Sequence, residues 1–443
     1  MNLLKIIFTV VIACLSLIFA IDFRFFFLLI FVFIILLTPI SILNRKIFFF
    51  VALAPFFILP QLNRYDVLPI LSWNIALPIL ILIFCFSITK LRLDNSYNFL
   101  FLFFILYICF QFFRGWNLGY NRYYVFTETI KYLFYPIGFY FTYSLFNDDK
   151  YDYDYLKTIL IFFIVMGLII SIEILFYYFN VTLGKRVITR QTNLLLISFI
   201  SALVYLLFYS KNIISKIFLI LSLIIYLLST IIMMQRSLWV GFLISIILFL
   251  ILIQLKVEKK KTKGILIFFI LLVLIIGSYN IYKYIAIDKE ILEERTEVVE
   301  QKANDFSVGV RLLSYLHAWR LFSQNPVIGK GMGDAIITPY LNQREIGAVD
   351  NSYLVILWKF GLIGFLAWVL IYVHFISQLL KIIIKSNIRL NKIYSIAIFS
   401  IILGQMINGL ACVVMTLYYF NFIWASLIAI TDYLYRKEFI LNA

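Results

Sequence analysis

Apolar residues run in blocks of bilayer length through most of the chain. Stretches of roughly 17–25 predominantly apolar residues, coiled as α-helices, match the hydrocarbon thickness of a membrane. By that measure helices are predicted near 6–22, 25–43, 68–88, 98–113, 132–146, 158–179, 194–210, 217–235, 237–255, 264–285, 353–378, 393–413 and 415–433, with a shorter proline-broken segment at 47–60. Segments in lipid must satisfy their own backbone hydrogen bonds, so the expected fold class is all-α, a polytopic integral membrane protein of about 12–14 transmembrane helices. One long polar stretch, residues 286–352, interrupts the pattern. It divides the chain into an N-terminal transmembrane bundle (1–285), an extracytoplasmic loop with short helices (286–352) and a C-terminal group of transmembrane helices (353–443).

The short polar breaks set the orientation. "KVEKKKTK" (256–263) and "KIIIKSNIRLNK" (381–392) are dense in lysine and arginine, and "KLR" (90–92), "KNIISK" (211–216) and "YRKE" (435–438) agree with them. Cytoplasmic loops collect such charges. One alternating path puts all five inside, together with both termini, and leaves 286–352 outside. Two shorter outer loops break the charge rule: 114–131 carries Arg114, Arg122 and Lys131, and 180–193 carries Lys185, Arg186 and Arg190. Either the path differs locally, or these cations meet lipid headgroups, or they form an anion site.

Composition narrows the class. Of 443 residues 64% are hydrophobic, more than a water-facing surface could accommodate, so a soluble domain is excluded. The net charge of +16 follows mostly from the inner loops and does not imply a nucleic-acid partner. Cys14, Cys85, Cys109 and Cys412 all lie in apolar runs with no metal-ligand spacing. Val11 to Cys14 faintly resembles a lipoprotein cleavage site, but apolar sequence continues on both sides, and a signal anchor is the expectation. His317 and His374 read as structural, and no paired acidic motif on the outer face points to a metal.

The outer loop holds the candidate chemistry. An acid-rich run, "DKEILEERTEVVEQKAND", reads as a solvated helix. Ser307 is a candidate N-cap for a second helix. There Leu312, Tyr315, Leu316, Trp319 and Leu321 suit an amphipathic surface that Asn325-Pro326 ends. Gly329, Gly331 and Gly333 surround Lys330 in a turn that is either purely structural or a cradle of N–H groups for phosphate. Arg236, in "IIMMQRSLWVGF", sits between two apolar runs, where a guanidinium either snorkels outward or faces a cavity and binds an anion. Asp350, in "AVDNSYLVILWKFGLIG", stands at the mouth of a membrane helix, where it either caps that helix or serves as a base. Glu173, and Glu128 with Lys131, are further charges within the spans.

The order of these features is familiar. An Arg-Ser pair (Arg236, Ser237) precedes a long outer loop holding Val310-Arg311, Trp319 and "NPVIGKGMG", and then comes "DNSYLVILWKFGLIGFLAWVLIY". This resembles the O-antigen ligase and polymerase superfamily of bacterial cell-surface polysaccharide synthesis, over about 230–240 and 307–370, roughly a sixth of the chain. The resemblance implies a fold similar to the C-type glycosyltransferases. It also implies a glycosyltransferase that moves an oligosaccharide from undecaprenyl pyrophosphate on the outer face of the bacterial cytoplasmic (inner) membrane. Ligases pass that glycan to a lipopolysaccharide core; polymerases pass it to another lipid-linked repeat unit, giving O-antigen or capsule-type polysaccharide. By the family pattern Arg236 and Arg311 correspond to two arginines that engage the pyrophosphate. Asp350 falls where ligases typically carry a histidine, which tilts the expectation toward a polymerase.

The charge developing on a pyrophosphate leaving group needs fixed cations, and in principle neither nucleotide nor metal cofactor. Arg236, Arg311 and Asp350 are the candidate catalytic residues. Lys330, Asn351, Tyr353, Arg320, Arg186, Arg190 and Arg122 are the candidate substrate-binding residues. Expected partners are the lipid-linked oligosaccharide as donor and acceptor, membrane lipids and a chain-length regulator. A transporter or flippase for an anionic solute or lipid-linked sugar is the competing class. Such proteins place polar groups at mid-membrane within repeated, broken helices, whereas no clear internal repeat is legible here.

Overall fold

The computed structural model describes residues 96–146, 152–178, 193–233, 236–257, 306–337, 345–346, 349–412 and 418–440. The spans expected at 6–22, 25–43, 47–60, 68–88 and 264–285, and the acid-rich helix after 286, lie outside the described residues. Within them the chain is α-helical: α1 (Ser96–Asn117), α2 (Arg122–Leu145), α3 (Asp152–Tyr177), α4 (Asn193–Phe208), α5 (Ile213–Ile232), α6 (Arg236–Lys256), α7 (Phe306–Gln324), α8 (Ser352–Lys385), α9 (Arg389–Asn408) and α10 (Tyr418–Phe439). A two-residue antiparallel pair, β1 (Ile336–Ile337) with β2 (Glu345–Ile346), accompanies them in the loop. Among the described residues six helices are long and apolar enough to cross a membrane: α1, α3, α5, α6, α8 and α9. This is a multi-pass membrane protein.

Small residues let the helices approach. Gly138 of α2 faces the Phe422 backbone and Ala425 of α10, so a Cβ there would stand 3.1 Å from that of Ala425. Gly241 of α6 meets Gly404 of α9, and one turn further Ser245 Oγ donates to Ser400 O at 2.8 Å. Gly167 of α3 lies against Ser198 of α4 and Tyr226 of α5. Packing of small residues and interhelical hydrogen bonds is what holds helices together where lipid removes the hydrophobic drive.

The helix ends sort by charge. α3 starts beside the start of α9 (Tyr153 Oη donates to Asn391 Oδ1, 3.0 Å), where α4 ends (Tyr209 and Tyr394 hydroxyls, 2.7 Å) and α10 also ends (Asn391 Nδ2 to Glu438, 2.8 Å). Lys381, Lys385, Arg389, Lys392, Arg436 and Lys437 gather at this end of the bundle. The opposite end gathers the N-termini of α4 and α8 and the C-terminus of α9, and it carries α7. Among the described residues, the positive clusters at 211–216, 381–392 and 435–438 therefore share one face.

The loop expected at 114–131 is only residues 118–121, because α1 runs on to Asn117 and α2 begins at Arg122. The cations that suggested a loop have partners on helix surfaces. Arg114 Nη2 donates to Asn325 Oδ1 at 3.2 Å, and the Arg122 guanidinium lies 4.7 Å from the Trp116 ring. α7 begins at Phe306, one residue before the expected cap at Ser307. Its apolar residues divide between two faces. Tyr315, Ala318 and Leu321 pack on Val349, Val355 and Trp358 at the start of α8, while Leu313, Leu316 and Trp319 face outward.

α8 is broken. Its 34 residues would span about 50 Å as a straight helix, well beyond a bilayer core of about 30 Å. Gly361 (φ 65°, ψ −167°) interrupts it after Phe360. Leu362 N and Ile363 N donate instead to Pro326 O (2.8 Å) and Val327 O (3.1 Å), while Trp358 O and Lys359 O accept from Lys330 N (2.9 Å) and Gly331 N (3.0 Å). The segment 326–331 thus supplies hydrogen bonds that the broken helix lost, as buried non-helical backbone requires.

Candidate functional site

The mouth of α8 is tied on three sides. Asn351 is its N-cap, its side chain accepting from Leu354 N at 3.0 Å. Ser352 N donates to Gly409 O (2.9 Å) and Ser352 Oγ to Cys412 O (2.8 Å), fixing the mouth to the end of α9. Tyr353 Oη donates to Met406 O at 2.7 Å, a second tie to α9. From α7, Tyr315 Oη donates to the main-chain oxygen of Asp350 at 2.6 Å. Capping, one of the two roles open to Asp350, therefore falls to its neighbour Asn351. Asp350 is half-buried just outside the first turn.

Two of the candidate arginines are placed by their helices. Position 311 lies one turn before Tyr315 on α7, and residues four apart share a helix face. Its backbone thus lies one helical turn from the residue that bonds the backbone of Asp350. Arg236 is the first residue of α6. Five residues later Gly241 packs on Gly404 and Asn408, so Arg236 stands about 7.5 Å further along the axis, level with the end of α9 that holds Ser352. Around that same end Asn408 Nδ2 is bonded to Asn193 Oδ1, and Gln405 Nε2 donates to Asn193 O at 2.8 Å.

The glycine turn is a strap across the break in α8. Gly329 N donates to Asn325 O at 2.9 Å, Lys330 N and Gly331 N to α8, and Gly333 N to Glu128 Oε2 at 2.8 Å. These N–H groups are engaged within the chain, so the turn is structural and a phosphate cradle is not its role. The glycines are needed for close approach. A Cβ on Gly329 would lie 2.5 Å from Gly361 N, and one on Gly361 would lie 2.5 Å from Val327 O. Gln111 Nε2 (2.5 Å) and Tyr107 Oη (3.3 Å) bind Ile328 O from α1.

Beneath the strap lies a charge pairing that sequence reasoning missed, although it had noted Glu128. Glu128 of α2 pairs with Lys359, and both are buried. Glu128 is thus matched not with Lys131 but with a residue 231 positions away. Lys359 Nζ also sits 4.9 Å from the Trp358 ring, and Trp358 Nε1 donates to Asp334 Oδ2 at 2.6 Å. Asp334 accepts in turn from Tyr120, in the turn between α1 and α2. Burial first, and then the Asp334 carboxylate, push the Tyr120 phenol up to about 12, so it remains a donor at neutral pH. The one sequence signal was a lysine inside an apolar helix, in "ILWKFG", since such a cation is costly without a partner.

The remaining candidates are dispersed. Arg320 is exposed on α7, and Lys330 is half-buried in the strap. Arg122 is exposed against Trp116. Arg186 and Arg190 lie outside the described residues. Among the described residues no three His, Cys, Asp or Glu side chains gather where they could hold a metal ion.

Residues 221–369 match the sequence model of a family described as O-antigen ligase. The matched segment is about a third of the chain and runs from α5 through the loop and the strap to beyond the break in α8. No curated protein matches. The match supports the O-antigen ligase and polymerase superfamily, and with it a ligase- or polymerase-type function in glycosyl transfer from lipid-linked glycans.

Proposed function

We propose that the protein polymerises undecaprenyl-pyrophosphate-linked repeat units on the outer face of the bacterial cytoplasmic membrane. The observation that carries this reading is the meeting of α7 with the mouth of α8. Tyr315 binds the backbone of Asp350, and Arg311 is one turn back along α7. That contact joins the element carrying Arg311 to the residue at the start of α8, which supports a shared role for Arg311 and Asp350.

In this mechanism the acceptor sugar's hydroxyl oxygen forms a bond to the anomeric carbon of the donor. The bond from that carbon to the phosphate oxygen breaks, and its electron pair leaves with the lipid pyrophosphate. Arg311 and Arg236 stabilise the charge as it develops, because a guanidinium offers two N–H groups in the plane of a phosphate. The proton of the attacking hydroxyl passes to the Asp350 carboxylate. Lys330 and Arg320 supply further positive charge along the loop.

The test is incubation of purified protein with its lipid-linked repeat unit, without nucleotide and with chelator, followed by gel sizing. A ladder of lengthening lipid-linked chains supports polymerisation. Transfer that needs a lipopolysaccharide core or another second acceptor would make the protein a ligase. Movement of the intact lipid across the bilayer without a new glycosidic bond would make it a transporter.

A further inference from the structure

Four links wrap the strap around two consecutive residues of α8. Lys330 N and Gly331 N bind Trp358 O and Lys359 O through the backbone. Asp334 takes the Trp358 indole N–H, and Gly333 N reaches Glu128, which holds the Lys359 ammonium. Three elements that carry candidate site residues thereby meet at one buried point. The strap continues α7, which carries Arg311. Residues 352–360 of α8 continue from Asp350. α2 supplies Glu128 as the fixed post between them.

An ion pair is a poor way to gain stability at such a place. Burying two charges removes their hydration, and well-packed apolar residues of similar volume usually do as well or better. What the pair supplies that apolar residues cannot is direction. Glu128 accepts from Gly333 N with one oxygen and binds Lys359 with the other. It therefore dictates the register of the strap on the broken helix, not merely its proximity.

We propose that Glu128 and Lys359, helped by Asp334 on Trp358, are positioning residues: a latch that sets the spacing of Arg311 and Asp350. This rests on the reading of those two as the working pair. The latch touches no substrate itself. It acts through the rigid connection from Gly333 back to α7 and from Trp358 back to the mouth of α8.

The test uses the full chain in nanodiscs with its native cysteines replaced. Spin labels at Ser323→Cys on α7 and Leu410→Cys past α9, both exposed positions, report how α7 sits on the mouth of α8. Glu128→Gln is expected to broaden the distance distribution. It should also lower kcat at least tenfold, with donor KM within about twofold. An apolar pair, Glu128→Leu with Lys359→Met, is expected to restore thermal stability but neither the narrow distribution nor kcat. The exchange Glu128→Lys with Lys359→Glu rebuilds the ion pair but removes the acceptor for Gly333 N, and it too should stay slow.

If kcat follows melting temperature across all variants, or the distribution stays narrow in Glu128→Gln, the latch is refuted. If distances broaden as expected while the wild type transfers no sugar, the latch stands and the glycosyl-transfer reading falls.

Discussion

At position 350 two roles compete on paper, and the neighbouring residue separates them. Asn351 holds the cap, so Asp350→Asn leaves the helix start intact. Such a variant is expected to lose transfer by about 10²-fold or more, the usual size of a general-base contribution. Asn351→Ala should do the converse, costing about 1 kcal/mol of stability from the lost cap. Equal activity in Asp350→Asn and wild type would remove the base from the mechanism. The arginines are tested by lysine, which keeps the charge and loses the planar fork. Arg236→Lys and Arg311→Lys are each expected to slow transfer at least tenfold in a single-turnover assay. Near-normal rates in both would leave the pyrophosphate without its clamp.

Among the elements, broken α8 is the most exacting. Gly361 has a left-handed φ of 65° and also lies against the strap backbone, so alanine there meets both strain and collision. Gly119 has φ 76° but open space around it. Gly119→Ala should therefore cost only the local strain, about 1–2 kcal/mol, whereas Gly361→Ala should displace the strap and yield little folded protein by size-exclusion profile. The contrast checks whether the crossing, and not glycine as such, is what the element needs. This break was not legible in the sequence. In "WKFGLIG" Gly361 is flanked directly by Phe360 and Leu362, and a helix pattern passes through it without a seam. The turn "GKGMG" was legible as a turn, but its partner lies after another 28 or so residues of loop and helix start, and turn chemistry names no partner at that distance. Glu128 was visible as a misplaced charge, and Lys359 was not singled out. Their pairing depends on how α2 crosses α8, which no periodicity encodes.

For the whole molecule, the sequence was most informative where physics is one-dimensional. Span length follows from bilayer thickness, so each described membrane helix overlaps a predicted one, although α2 begins ten residues before the predicted 132 and α8 runs seven beyond the predicted 378; basic ends among the described helices share a face. The error at 114–131 arose because Arg114 and Arg122 looked like loop residues when their partners, Asn325 and Trp116, were not yet visible. That shared basic face makes a prediction about sidedness. Ser323 is exposed on α7 at one end of the bundle, and Lys216 is exposed on α5 toward the other. In intact cells, with the native cysteines replaced, a membrane-impermeant maleimide should label Ser323→Cys at once and Lys216→Cys only after permeabilisation. The reasoning does not depend on any enzyme assay, because it uses only charge asymmetry and helix packing. It nevertheless bears on the chemistry. A donor held in the outer leaflet can reach Asp350 and Arg311 only if α7 faces outward, so labelling in the opposite order would separate the site from its proposed substrate by the full thickness of the membrane.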